Sequence, residues 1–140
     1  MPASIYKGEV QSLEGHAPFG DGECVALPQA VTDVGHTSRW YPGLRVVDLS
    51  YLNPGTVIAN FVQNGRFWKF PNRHGYHAAL FMGFGPRSMA TGEYTGIYVI
   101  DQWMRHPASA RTIVAYSPED AKRRRIKPSD NANDFYVVQT

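Results

Sequence analysis

The chain has 140 residues, 43% of them apolar and 13% aromatic, with a formal net charge of +2. That length and apolar content suit a single domain spanning residues 1–140 with a sizeable core. So small a net charge gives nucleic acid little to hold, and no run approaches the roughly 20 apolar residues of a membrane span.

The opening, Met1-Pro2-Ala3-Ser4-Ile5-Tyr6-Lys7, lacks the apolar region of a secretory signal. The chain is therefore expected to be made in the cytoplasm, with any export by another route. Residues 1–20 read as an irregular arm. The turn Phe19-Gly20-Asp21-Gly22-Glu23 follows, and then the one cysteine, Cys24, opens an apolar stretch. This stretch reads as a helix over residues 24–34, with Asp21 or Gly22 near its cap. Pro28 fits poorly inside such a helix; it predicts a kink, or a start one or two residues later.

A thiol at a helix N-terminus meets unpaired backbone N–H groups and the positive end of the helix dipole, and both favour thiolate. A lone cysteine makes no intramolecular disulfide and is a poor metal site. The pattern is that of a nucleophile in need of a base. The plainer alternative is a small buried hydrophobe.

Residues 35–43 read as a turn-rich connection carrying Trp40. From Thr56 the pattern turns strand-like. Thr56-Val57-Ile58-Ala59-Asn60-Phe61-Val62 is a β-branched run, and Phe67-Trp68-Lys69-Phe70 returns after a Gln63-Asn64-Gly65-Arg66 turn. Further runs lie at 77–83, 96–103, 111–116 and 134–138. Lys122-Arg123-Arg124-Arg125 reads as a solvated loop or helix end, or else as a contact patch for an acidic partner. One early helix followed by a meander of strands is an α+β layout.

Among the five histidines, His77 begins a core strand, where its position would be rigid. Along 77–83, residues 77, 79 and 81 share a face; along 97–103, residues 97, 99, 101 and 103 do. An antiparallel hairpin centred near residue 90 places 77 opposite 103, with Asp101 as the diagonal neighbour within reach. A one-residue slip would destroy that relation. Gln102 is the rival third member, although it should face the other way. Ala78 and Ala79 leave room for a helix carrying Cys24 to pack on the strand.

Gly22-Glu23-Cys24-Val25-Ala26-Leu27, Gly55-Thr56-Val57-Ile58-Ala59, His77-Ala78-Ala79 and Asp101-Gln102-Trp103, in this order, resemble the NlpC/CHAP papain-like superfamily. Within it they look most like small type VI secretion amidase effectors, over residues 20–105. The resemblance implies a papain-like α+β fold, with an N-terminal helix carrying the nucleophile against an antiparallel sheet. It implies a cysteine peptidase that cuts the peptide part of bacterial cell walls. Cys24 matches the nucleophile, His77 the base and Asp101 the third polar residue, with no metal or other cofactor. It further implies delivery by a secretion machine into the periplasm of a target bacterium, and a cognate immunity protein as partner. Trp40, Tyr76, Gln102 and Trp103 are candidates for substrate contact; Arg39, Arg73 and Arg105 are candidates for lining a basic cleft.

Four alternatives stand beside this. A metal site would use Cys24, His74, His77 and Asp101. A thiol acyltransferase of the same superfamily would more often place its histidine before its cysteine. A housekeeping wall hydrolase would normally need an export signal. A non-catalytic binding module would keep Cys24 inert.

Overall fold

The computed structural model describes residues 3–140. Its centre is a six-stranded antiparallel sheet in the order β1-β8-β2-β5-β6-β7. The strands are β1 (Tyr41–Arg45), β2 (Val57–Ala59), β5 (Ala78–Phe84), β6 (Gly96–Trp103), β7 (His106–Val114) and β8 (Tyr136–Gln139). A separate hairpin joins β3 (Val62–Asn64) to β4 (Phe67–Lys69). Two short helices, α1 (Ala26–Val31) and α2 (Pro118–Arg124), and several 3-10 turns complete the described residues. No helix among the described residues is long and apolar enough to cross a membrane.

The two-residue period of the strands divides the apolar side chains between the sheet's two faces. Val57, Ala59, Ala78, Leu80, Ile100 and Val138 join one core, shared with Cys24, Val25, Leu27 and Trp40. Ile58, Ala79, Phe81, Ile97, Val99, Ile113 and Val137 join the other, with Val46, Ala132 and Phe135. Both faces are therefore dry, and the fully buried Ala78 and Ala59 leave room for the α1 segment to lie close.

The β5–β6 pair has the expected register near the site. Leu80 pairs with Ile100 and Phe81 with Val99, centring the hairpin on residue 90. A bulge at Met82 then shifts the pairing by one, to Gly83 with Tyr98 and Phe84 with Ile97.

Five elements differ from the sequence reading: the run read at 111–116 is β7, which starts at His106 and ends at Val114, and four others differ for local reasons. The helix begins at Ala26, not at Cys24, and ends at Val31, not residue 34. Pro28 then sits in the first turn, where its missing N–H leaves no helical bond unmade. Val25, not Asp21 or Gly22, is the N-cap, and no side chain caps it; Asp21 instead accepts from the N–H of Glu23 at 3.0 Å. The run 56–62 breaks at Asn60, whose side-chain amide is engaged by Pro128 O and Asp134 O. Residues 41–43, read as the end of a turn-rich connection, open the sheet's edge strand β1, which runs to Arg45. An edge tolerates a proline that makes no ladder bond. Finally, β8 enters the sheet between β1 and β2, so the strands are not a simple meander.

The basic run at 122–125 is the end of α2, with Lys122, Arg123 and Arg124 in its last turn and Arg125 at the C-cap. Ser117 caps the helix and Glu119 and Asp120 fill its first turn, so the charges complement the helix dipole at both ends.

Candidate active site

Where β5 begins and β6 ends, a cleft of about 640 Å³ opens on the surface. Cys24, His77, Tyr76, Trp103, Arg111, Arg73 and Lys127 are among its walls. Cys24 lies in the turn immediately before α1, 8% exposed and packed in the same core as Ala78 and Leu80. It is thus buried on one side and open to the cleft on the other. The sulfur sits two residues ahead of the helix rather than on it. The helix supplies a rigid anchor, and the dipole argument made for a helix-borne thiol does not carry over.

His77 stands one residue before β5 and is 5% exposed. Its main chain is held at both ends by Asn60, whose Oδ1 accepts from the His77 N–H at 2.9 Å and whose N–H donates to the His77 carbonyl at 3.0 Å. The His77 ring meets Asp101 through Nε2, at 2.6 Å from Oδ2. With Nε2–H donating to the carboxylate, Nδ1 is the nitrogen left for proton exchange. The ring stands edge-on to Trp103 at 6.2 Å between centroids.

Asp101 is completely buried. The same oxygen, Oδ2, also accepts from Arg111 Nε at 2.6 Å. The other oxygen, Oδ1, is buried without a hydrogen-bond partner. Burial lowers the proton affinity of His77. The hydrogen bond and charge of Asp101, together with those of the neighbouring Cys24, raise it and prevail. The ring is pushed up from 6.5 to about 9.

Gln102, the next residue on β6, projects to the opposite face of the sheet. It is fully buried, and its amide is committed to the loop ahead of the cysteine. Its Oε1 accepts from the Phe19 N–H at 2.8 Å, and its Nε2 donates to Phe19 O at 3.0 Å and Glu23 O at 2.9 Å. The expectation that Gln102 contacts substrate is corrected: it fastens the Cys24 turn to the sheet. Trp40 is likewise a core residue, 3% exposed, with its Nε1 donating to Gly35 O at 3.1 Å and its ring packed on Phe70. It does not reach the cleft.

Tyr76 and Trp103 do line the cleft. Trp103 is 40% exposed and stacks on His106 at 3.8 Å, across the two-residue turn between β6 and β7. Of the three arginines expected there, Arg73 is a cleft residue, whereas Arg39 and Arg105 are not among its walls. The metal alternative required Cys24, His74, His77 and Asp101 to converge. His74 instead accepts from Lys127 Nζ at 2.8 Å, and no group of three or more such side chains among the described residues converges on one point.

Sequence reasoning missed two residues. Asn60 was signalled by being the one polar residue inside an apolar run. Arg111 stood first in the run read at 111–116, whereas β7 starts at His106 and carries Arg111 mid-strand, opposite Val99 and diagonal to Asp101.

Known proteins of similar sequence and structure have a common character. Residues 3–138 match the protein family described as Domesticated amidase effector 2. A type VI secretion amidase effector 2 protein of Salmonella typhi is 36% identical over 124 residues, covering 84% of each chain. A solved structure of type 6 secretion amidase effector 2 (Tae2) superposes with a TM-score of 0.74 at 30% identity, covering 96% of this chain and 93% of that one. With a match over nearly its whole length and a cleft holding a cysteine beside a histidine–carboxylate pair, this chain belongs to the domesticated amidase effector 2 family.

Proposed function

We propose that this protein is a peptidoglycan amidase that hydrolyses a peptide bond in bacterial stem peptides or cross-links, with Cys24 as nucleophile, His77 as general base and acid, and Asp101 as its orienting carboxylate. The observation that carries the reading is the 2.6 Å bond from His77 Nε2 to a buried carboxylate, in a cleft that also opens onto Cys24.

The reaction is acyl transfer to water. His77 takes the thiol proton on Nδ1, and the sulfur attacks the amide carbonyl. The N–H of Cys24 donates to no acceptor among the described residues, which suits it to hold the oxyanion. The imidazolium then protonates the leaving amine, a thioester remains, and His77 activates the water that hydrolyses it. Asp101 fixes the ring tautomer and balances the imidazolium charge. Tyr76 and Trp103 provide aromatic walls for the peptide.

The relatives' printed names, type VI secretion amidase effector 2, support a role as a secreted effector; we extend it to antibacterial use in the periplasm of a target cell, with an immunity protein in the producer. The test is digestion of purified sacculi with analysis of the released muropeptides by mass. Wild-type protein should release peptide fragments, and Cys24→Ala should release none while keeping the native circular dichroism spectrum. Wild-type hydrolysis by Cys24→Ala would overturn the assignment, and the fragment masses identify the bond.

A further inference from the structure

We infer that Arg111 is a positioning residue for the reaction, acting through Asp101 as the permanent counter-charge that lets His77 give up its proton. The inference rests on the proposed Cys24–His77–Asp101 assignment and adds a fourth member to it.

The contacts around Asp101 are unusual. One oxygen of a fully buried carboxylate receives two donors, His77 Nε2 and Arg111 Nε, each at 2.6 Å, while the other oxygen receives none. A fully buried carboxylate is costly without a cation. His77 is a cation for only part of the cycle, whereas a guanidinium is one throughout. Arg111 is itself fixed. Its Nη2 donates to Ser129 O at 3.3 Å, its Nη1 lies 3.8 Å from Asp130 Oδ1, and its guanidinium lies 5.5 Å from the Trp103 ring. It is 25% exposed and lines the cleft wall.

The charges balance across the proposed steps. Before attack, the thiolate, imidazolium, carboxylate and guanidinium sum to zero. On attack, Sγ bonds to the carbonyl carbon and the C=O π pair moves to oxygen, whose negative charge replaces that of the thiolate until collapse returns the pair to the C=O bond. When the intermediate collapses, the C–N bond breaks, its electron pair stays with nitrogen, and the His77 proton moves to that nitrogen. The thioester and the imidazole are then neutral, and the carboxylate and guanidinium again sum to zero. Without Arg111 the same state would hold an unbalanced buried anion. The imidazolium would keep its proton more tightly, and protonation of the leaving amine would slow.

Other charged groups near the site do not replace this role. Glu23, Arg73, His74, Lys127 and Asp130 line the cleft, but no hydrogen bond or ion pair joins any of them to Asp101 among the described residues.

The experiment follows the His77 ring by NMR titration without substrate, alongside kcat and KM on isolated muropeptides, in Arg111→Met and Arg111→Lys. The Met variant should move the His77 titration upward by about one pH unit or more. It should also lower kcat about tenfold, with KM little changed. The Lys variant keeps the charge and should recover part of both effects. In an Asp101→Asn background, Arg111→Met should add nothing further, because the group through which it acts is gone. This background also removes the unpaired buried charge, so it remains usable if Arg111→Met alone does not fold. Wild-type titration and turnover in the Met variant, or an undiminished loss in the Asn background, would overturn the inference. Activity that survives Cys24→Ala would instead overturn the enzymatic assignment, and the substrate-free titration would still report on Arg111.

Discussion

Replacing Gln102 by Leu removes the fastening of the Cys24 turn with little change in volume. Three hydrogen bonds of the buried Gln102 side chain to a half-exposed loop disappear, at 2.8, 3.0 and 2.9 Å. The Phe19 N–H and the carbonyls of Phe19 and Glu23 lose that partner beside an apolar side chain. At about 1 kcal/mol for each bond, the loss is about 3 kcal/mol. For a chain of this length that lowers the melting temperature by roughly 10 °C. The effect on activity should be larger than stability alone explains, because the residues released lie directly before Cys24, the proposed nucleophile. Thermal melting followed by circular dichroism gives the first quantity, and sacculus digestion well below the melting point gives the second. The His77–Asp101 bond lies on the other face of β6, so the Nε2 proton signal should persist in the variant. A wild-type melting temperature together with wild-type digestion would show that the loop is held by something other than Gln102.

Under the proposed mechanism, loss of His77 should cost more than loss of Asp101. His77→Ala is expected to reduce hydrolysis by about 10³-fold and Asp101→Asn by about 10²-fold, as measured by initial rates on muropeptides; equal wild-type rates for Asp101→Asn would remove it from the mechanism. The raised proton affinity of His77 also has a consequence for stability. The folded ring holds its proton up to about pH 9, against 6.5 for an ordinary histidine, so the folded state binds protons more tightly across this interval. The resulting stabilisation, at most about 3 kcal/mol, is fully present below pH 6.5 and lost as pH rises through 9. Urea denaturation at pH 6 and pH 10 should show that loss in the wild type and a smaller one in His77→Ala.

The meeting of the candidate site's residues was more legible in the sequence than the scaffold that holds them. His77 and Asp101 meet because strand parity and a hairpin centred on residue 90 leave few other arrangements, and both quantities can be counted along the chain. Cys24 was conspicuous by being alone. Trp40 was misread because a large aromatic in a glycine-rich connection looks exposed, whereas here it fills the core under α1 and β8. Gln102 was rightly turned away from Asp101, but what it meets on the far side lies about 80 residues upstream and leaves no local pattern. Asn60 acts in the same way, its side-chain amide donating to Pro128 O and Asp134 O; Arg111 faces Asp101 diagonally across the β6–β7 hairpin, and the sequence reading did not place the early start of β7 at His106. The edge strand β1 was hidden because proline and glycine mark turns by propensity, and only its place at the border of the sheet makes them acceptable.

The bulge at Met82 separates two parts of one hairpin. On its inner side the pairing that unites His77 with Asp101 is fixed; on its outer side the strands run on to the 85–95 connection in a register of their own. Changes in the length of that connection can therefore be absorbed before they travel inward. Descendants of this chain are free to lengthen, shorten or replace that outer tip, and an engineer could graft a foreign peptide there, without disturbing the chemistry at the opposite end.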